Sequence, residues 1–355
     1  MAVRKRRVRK AYERYEIDRS PLAQRPSQRD IASLISENKS DLNRLATPQF
    51  KEQFLVRRSI ESGGKTRDLV YPEGRLRAAH ERLKFHLNKI VQPSYLMSPR
   101  KNRSQRDNAA AHLDAAQYLT LDIKQFYPST TRGMIRNSLV DLFGMEADVA
   151  GLIAHVATAD DRACFGSPLT PVLASLVHRP MFDAIADLCA SYDLGHTVWV
   201  DDLTISGNQI PGRFVSQVRA IVASHGLRSH KLKYRTGNKA VFITGIGVVG
   251  SNLVVPRSVE RRSKDLWRDF QKADTVDEID TAGSRLLSHL GGIRHVVGKS
   301  SKRGQKISSE MNSVRQKRTK ALRIGSEKSA STSNLRYLTA EEQEERRDEI
   351  DAIPF

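Results

Sequence analysis

Two acidic strings stand where the sequence otherwise asks for strands. Residues 116–123 read Ala-Gln-Tyr-Leu-Thr-Leu-Asp-Ile, and residues 196–207 read His-Thr-Val-Trp-Val-Asp-Asp-Leu-Thr-Ile-Ser-Gly. β-Branched and aromatic residues favour strands, whereas aspartate is depleted there. Adjacent like charges in a sheet cost stability unless cations offset them. A single aspartate at a strand end is usually a cap or turn residue, but a pair inside Val-Trp-Val-Asp-Asp-Leu-Thr is harder to explain that way. The chain is therefore expected to bring Asp122, Asp201 and Asp202 together at strand ends, Asp201-Asp202 at the tip or bend of a hairpin. Three carboxylates so placed suit a pair of Mg²⁺ ions, which prefer hard oxygen ligands and keep several waters. Two such ions roughly 4 Å apart are what phosphoryl transfer from a nucleoside triphosphate requires. Where Asp122 ends its strand, the backbone carbonyl of Ile123 also faces the metal.

The charge balance points the same way. The 355 residues hold 59 Lys and Arg against 40 Asp and Glu, a net charge of +19, which attracts polyanions, nucleic acid above all. No apolar run approaches the length that spans a bilayer. The N-terminal Met-Ala-Val-Arg-Lys-Arg-Arg is followed by further charges, unlike a signal peptide. Cys164 and Cys189 lack metal-ligand spacing, so a reducing cytoplasm is the expected location.

Along the chain, residues 1–30 read as a basic, lightly docked or flexible arm. Helical patterning begins at Ile31. Residues 65–74 predict a strand ended by Pro72 and Gly74. Leu76, Leu83, Leu87 and Ile90 then fall at helical spacing. Residues 99–107 form a basic polar loop. Helices are expected over 131–144, 169–192 (kinked or broken at Pro180) and 213–226, with a strand over 240–248. This order predicts an α+β fold: a small antiparallel sheet with helices on one face. Beyond Pro256 the pattern is helical, with ten Lys and Arg against Glu310 over 294–323 and an acidic ending.

At these residues the chain resembles reverse transcriptases. Asp-Ile-Lys-Gln-Phe-Tyr (122–127) is similar to their motif A, Phe-Gly-Ser-Pro-Leu-Thr-Pro (165–171) to motif B, and Trp-Val-Asp-Asp (199–202) to motif C. Lys233 matches the motif D lysine. Two further strings resemble the bacterial retron type: Asn108-Ala-Ala-Ala-His112 ahead of motif A, and Ile243-Thr244-Gly245, one conservative change from Val-Thr-Gly, after motif D. The likeness runs from about Lys65 to about Val255, and more weakly into the helical region beyond.

The resemblance implies a right-hand polymerase: fingers over 31–118, palm over 119–255, a basic helical thumb over 256–323 and an acidic tail over 324–355. It implies catalytic and metal-holding roles for Asp122, Asp201 and Asp202. Tyr127 would stack under the incoming sugar and reject a 2′-hydroxyl, whereas Phe126 reads as an ordinary core aromatic. Arg67, with Lys65, would clamp the triphosphate through hydrogen bonds to phosphate. Phe165 and Gly166 would border the nucleotide, and Lys233 would lie near pyrophosphate. Asn108, His112, Ile243, Thr244 and Gly245 would order the fingers or touch RNA, together with the basic loop Arg100, Lys101 and Arg103.

It further implies an RNA-directed DNA polymerase that uses dNTPs and copies part of a cognate noncoding RNA from a 2′-hydroxyl primer into RNA-linked single-stranded DNA. Such systems act with a separate effector protein in anti-phage defence. Phe165 departs from the usual glutamine of motif B, and Trp199, ahead of Val200, from the tyrosine of the usual Tyr-Ala or Tyr-Val of motif C. None of these departures removes a carboxylate. The competing readings are an abortive-infection or group II intron type of reverse transcriptase, a two-metal nuclease, and a nonenzymatic RNA-binding scaffold.

Overall fold

The computed structural model describes residues 13–62, 64–236 and 239–351, with backbone alone at 62, 65 and 327–351. The chain divides into two units, at Thr244 and Gly245.

The first unit begins with helices α1 (Gln28–Leu34), α2 (Lys39–Ala46) and α3 (Pro48–Glu52), then the hairpin β1 (Leu55–Ser62) and β2 (Lys65–Pro72). Helix α4 (Gly74–Leu87), strand β3 (Leu96–Ser98) and helix α5 (Gln105–Ala110) lead to β4 (Gln117–Ile123). Next come α6 (Phe126–Ser129), α7 (Arg132–Phe143), α8 (Ala147–Ala157), the short pair β5 (Thr158–Ala159) and β6 (Arg162–Ala163), α9 (Thr170–Val177) and α10 (Arg179–Ser191). The hairpin β7 (Gly195–Trp199) and β8 (Asp202–Gly207), helix α11 (Gly212–Ser224), β9 (Ser229–Thr236) and β10 (Val241–Ile243) complete it.

Local chemistry sets many of these boundaries. Capping boxes start α1 at Ser27 with Asp30 and α5 at Ser104 with Asp107, each satisfying two orphan amides. Gly144, at φ +63°, stops α7. The helix expected over 169–192 breaks at His178, and Pro180 falls in the first turn of α10. There its missing N–H costs nothing.

The central sheet has the order β3-β7-β8-β4-β9, parallel at β3–β7 and antiparallel elsewhere. Alternation along β4 decides its two faces. Leu119, Leu121 and Ile123 turn inward, forming one core with Val198, Leu203 and Ile205 of the hairpin, Phe182 and Ile185 of α10, and Phe214 and Val218 of α11. Thr120 and Asp122 lie on the opposite face, where Thr197, Thr204 and Ser206 are also buried. A second core, of α1, α2, α4, α7, α8 and α9, underlies the first part of the unit. The expected α+β class is what the structure has, with α10 and α11 on one sheet face and the segment following α5 set against the other.

Three sequence expectations need revision. The segment 240–248 is not one strand: Thr244 and Gly245, at φ +45° and +84°, turn the chain after β10. Beyond the helix expected to end at 226, where the sequence predicts no strand, the structure has a full strand, β9, nearly all of whose residues are exposed. From Tyr15 onward the N-terminal segment is docked. Tyr15 pairs with Ile90, its amide donating to the Lys89 carbonyl at 3.1 Å, and Leu22 is buried. Residues 1–12 lie outside the described residues.

The second unit opens with the hairpin β11 (Ile246–Val249) and β12 (Asn252–Val254). Helices α12 (Arg257–Lys272), α13 (Val276–Val297) and α14 (Lys302–Asp351) follow, as the helical patterning predicts. Phe270, Leu286, Leu290, Ile293, Met311 and Val314 form its core. Among the described residues no helix is long and apolar enough to cross a membrane.

Candidate active site

Trp199 pairs with Asp202, so β7 and β8 are joined by two residues, Val200 and Asp201. Tight loops of this kind need a positive φ that glycine supplies easily. Here Val200 takes φ +61°, a costly conformation for a β-branched residue. Its amide donates to the Ser98 carbonyl at 3.1 Å, anchoring the loop to β3. The strained loop puts Asp201 at the hairpin tip. Asp202, the first residue of β8, lies directly opposite Asp122 of β4, and residues so opposed have side chains within mutual reach. The Ile123 amide donates to the Asp201 carbonyl at 2.9 Å, tying the end of motif A to the loop of motif C. Strand pairing thus brings the three predicted carboxylates to one end of the sheet.

Their proximity shows in their acidities. Burial, then repulsion from Asp202 and Asp122, pushes the Asp201 carboxyl up to about 6. Asp202, exposed as a residue, is raised by partial desolvation of its carboxyl and by the charge of Asp122. Asp122 carries a cation already: Lys231 Nζ lies 2.8 Å from its Oδ2. Among the described residues no group of three or more His, Cys, Asp or Glu side chains is gathered tightly enough to chelate an ion. The donor chemistry nevertheless fits a hard divalent cation, with two facing carboxylates, a third on the adjacent residue, and an ammonium standing in beside them.

Tyr127 lies next to this cluster. Burial first, and the charge of Asp201 second, push its phenol up to about 12. Its ring centroid is 5.9 Å from that of Phe165, so the aromatic of motif A packs on the residue by which motif B departs from its relatives. The motif B turn is held from several sides. The Phe165 carbonyl accepts from the Val70 amide of β2 at 2.9 Å. Thr170 Oγ1 donates to the Cys164 carbonyl at 2.7 Å, and Ser167 Oγ is 2.6 Å from the buried ring of His80. Gly166 has φ +117°, and a Cβ there would stand 3.2 Å from Cβ of Tyr71. Arg67 is exposed on β2 of the hairpin. The side chain of Lys65 lies outside the described residues.

A cavity of about 270 Å³ beside the carboxylates is lined by Asp122, Asp202, Lys231, Lys233, Phe242 and Thr244, among others. Lys233 lines this cavity, but the lysine in contact with a carboxylate is Lys231. The sequence His230-Lys-Leu-Lys-Tyr234 could not discriminate between two lysines flanking one leucine. Between Thr120 and Asp122 the β4–β9 register shifts, and Lys231 takes φ +49°. The irregularity re-aims its side chain, as bulges beside active sites do.

The two retron-like strings, 136 residues apart, meet: Asn108 Nδ2 donates to Thr244 Oγ1 at 3.3 Å. His112 is buried, with Nδ1 2.7 Å from Ser206 Oγ and Nε2 2.7 Å from Thr197 Oγ1. Asn108, His112 and Ile243 are all buried, Thr244 is half-buried and Gly245 exposed. The first three side chains brace the protein internally in this structure. In the basic loop, Arg100 donates to the Pro93 carbonyl at 2.9 Å and is half-buried, while Lys101 and Arg103 are exposed.

No family model matches the chain. Curated relatives do. It is 26% identical over 253 residues to the retron Mx65 reverse transcriptase of Myxococcus xanthus, covering 64% of this chain and 58% of that protein. It is 26% identical over 202 residues to the retron Mx162 reverse transcriptase of the same organism, covering 48% and 41% respectively. It is 21% identical over 218 residues to the retron Ec48 reverse transcriptase of Escherichia coli, covering 57% and 53%. The chain thus spans about half the length of the curated relatives it matches, and it is similar in sequence to retron reverse transcriptases, as its motifs predicted. Among solved structures, a Candida tropicalis telomerase lacking its C-terminal domain aligns with a TM-score of 0.42 and 11% identity, covering 62% of this chain and 61% of that one. A foamy viral protease-reverse transcriptase bound to double-stranded DNA aligns with a TM-score of 0.38 and 13% identity, covering 69% and 38%.

Proposed function

We propose that the protein is an RNA-directed DNA polymerase of the retron type. The observation that carries this reading is the pairing of Asp122 with Asp202 across β4 and β8, with Asp201 in the strained two-residue loop beside them. A nonenzymatic scaffold has no use for a loop that spends conformational strain to hold a carboxylate cluster. The sequence relatives supply the reaction class and the retron type.

In this reading Asp122, Asp201 and Asp202 hold the Mg²⁺ ions, with the Ile123 carbonyl as an additional oxygen. Those ions, when bound, activate the attacking hydroxyl and offset charge on the triphosphate. The chain's own residues do the remaining work. Tyr127, backed by Phe165, limits the space at the sugar and disfavours a ribonucleotide by steric clash. Gly166 keeps the motif B turn free of a side chain where backbone approaches Tyr71 and the substrate. Arg67 binds phosphate oxygens from the β1–β2 hairpin, assisted by Lys65, and Lys233 faces the leaving group from the cavity wall. The basic loop at 100–103 and the helices of the second unit hold nucleic acid through its backbone, an affinity that falls steeply with salt. The substrates are dNTPs and a cognate noncoding RNA, primed from a 2′-hydroxyl. We further infer that the product is RNA-linked single-stranded DNA, that the protein works in the cytoplasm, and that it acts with a separate effector in anti-phage defence.

The test is to purify the protein from cells carrying its upstream noncoding region, beside an Asp201→Ala, Asp202→Ala variant. A discrete RNA-linked DNA, DNase-sensitive and absent from the variant, is expected. RNA in both preparations but DNA in neither, even with Mg²⁺ and dNTPs supplied, would reduce the protein to a binding scaffold. Unbranched DNA would move it to another class of reverse transcriptase.

A further inference from the structure

The contact between Lys231 and Asp122 is built into the fold. A regular β9 would carry Lys231 as an ordinary strand residue. Instead the strand breaks register opposite Asp122, so that His230 pairs with Asp122 while Lys233 pairs with Thr120. Lys231 sits between them at φ +49°, a left-handed conformation that costs lysine free energy it would not spend in a regular strand. The consequence is the ammonium 2.8 Å from Asp122 Oδ2. The Lys231 side chain is 50% exposed and that of Asp122 21%, so the pair is weak and water-accessible. Such a contact exchanges readily. Three carboxylates crowd this corner, since Asp202 faces Asp122 across the sheet and Asp201 sits in the adjoining two-residue loop.

We propose that Lys231 is a resident counter-cation of the carboxylate cluster: it neutralises Asp122 while no divalent ion is bound, and a divalent ion must displace it to use that carboxylate. The inference rests on the metal-site reading above and gives Lys231 a role distinct from that of Lys233. Lys231 is a positioning residue. Paired with Asp122 it keeps the carboxylates from splaying apart, and once displaced its ammonium is released beside the cavity that Lys233 also lines. The ion pair therefore tunes how much free divalent ion the protein needs before its site assembles.

The experiment is a Mn²⁺ titration of the full chain without nucleic acid or nucleotide, followed by the loss of the free-ion signal in electron paramagnetic resonance. Wild type is compared with Lys231→Met, Lys231→Arg, Lys233→Met and Asp122→Asn. A unit charge and a divalent ion about 5 Å apart in water repel enough to change affinity roughly tenfold. Lys231→Met should therefore bind Mn²⁺ about tenfold tighter than wild type, and Lys231→Arg close to wild type. Lys233→Met, which removes the same charge without the Asp122 contact, should change affinity by less than about threefold. Asp122→Asn should bind more weakly than all of these. Lys231→Met at or below wild-type affinity would overturn the proposal, and so would equal effects of Lys231→Met and Lys233→Met. If Asp122→Asn binds Mn²⁺ as wild type does, the metal-site reading itself falls. The expected pattern in a protein that makes no DNA would instead leave the cation exchange standing and remove only the polymerase reading.

Discussion

His112 offers the clearest quantitative test of how the hairpin that carries Asp201 and Asp202 is supported. Both ring nitrogens are engaged, by Ser206 Oγ of β8 and Thr197 Oγ1 of β7, each at 2.7 Å, and all three residues are buried. His112→Leu keeps an apolar side chain in the space and leaves two buried hydroxyls without their partner. Each such loss costs about 1–3 kcal/mol, so the sheet should be destabilised by about 2–6 kcal/mol at pH 7. The pH dependence gives the argument a second edge. Burial, and to a lesser degree the neighbouring His196, hold the His112 ring down at about 4, against about 6.5 in an unfolded chain. Above pH 6.5 neither state is protonated and the full benefit of the native histidine is present. Between 6.5 and 4 the unfolded state takes up a proton that the folded state refuses, so stability falls as the pH drops. That loss amounts to something on the order of 3 kcal/mol. The leucine variant has no such loss, and its deficit relative to wild type should shrink steadily from pH 7 to pH 4.5. His80 and His178, also held near 4 by burial, titrate in both proteins and cancel in the difference. The assay is urea unfolding of the full chain in a Trp267→Phe background, where Trp199, beside the hairpin loop, reports the first unit alone. Adding Thr197→Val and Ser206→Ala to His112→Leu should recover part of the loss, because no orphaned hydroxyl remains. A deficit below about 1 kcal/mol at pH 7, or one that does not change with pH, would refute the reasoning.

Three other outcomes follow from the same geometry. Val200→Gly should relieve the left-handed strain at φ +61° and raise stability by about 1 kcal/mol, while a looser Asp201 lowers the turnover of primer extension; thermal melting and single-nucleotide kinetics check the two halves. Gly166→Ala should lower stability by about 1–3 kcal/mol, since its Cβ would meet Tyr71 at 3.2 Å with φ at +117°; unchanged melting would contradict that close approach. Tyr127→Ala should admit ribonucleotides, raising the ratio of ribo- to deoxynucleotide incorporation by at least about tenfold, the scale of a relieved steric clash of 1.4 kcal/mol or more; competition between labelled rNTP and dNTP measures it.

Much of this molecule can be read from its residues alone, because the signals are local. Strand propensity interrupted by aspartate marked Asp122, Asp201 and Asp202. The break at His178, two residues before Pro180, follows from the proline's missing backbone donor, and the end of α7 at Gly144 from a left-handed cap. What the sequence could not decide depends on register and on partners far along the chain. Strand β9 is an exposed edge strand whose short alternation of basic and apolar residues is too brief to stand out and is backed by no burial, and only its bulge selects Lys231 over Lys233. From sequence, Asn108 and His112 read equally well as groups that order the fingers and as groups that touch RNA. Packing of α5 against the polar face of the sheet buries them on Thr244, Thr197 and Ser206, at separations of 85 to 136 residues. Local residue order singled out the acidic and basic side chains; pairing across the sheet decided which of them come close together, because register is set by partners far along the chain.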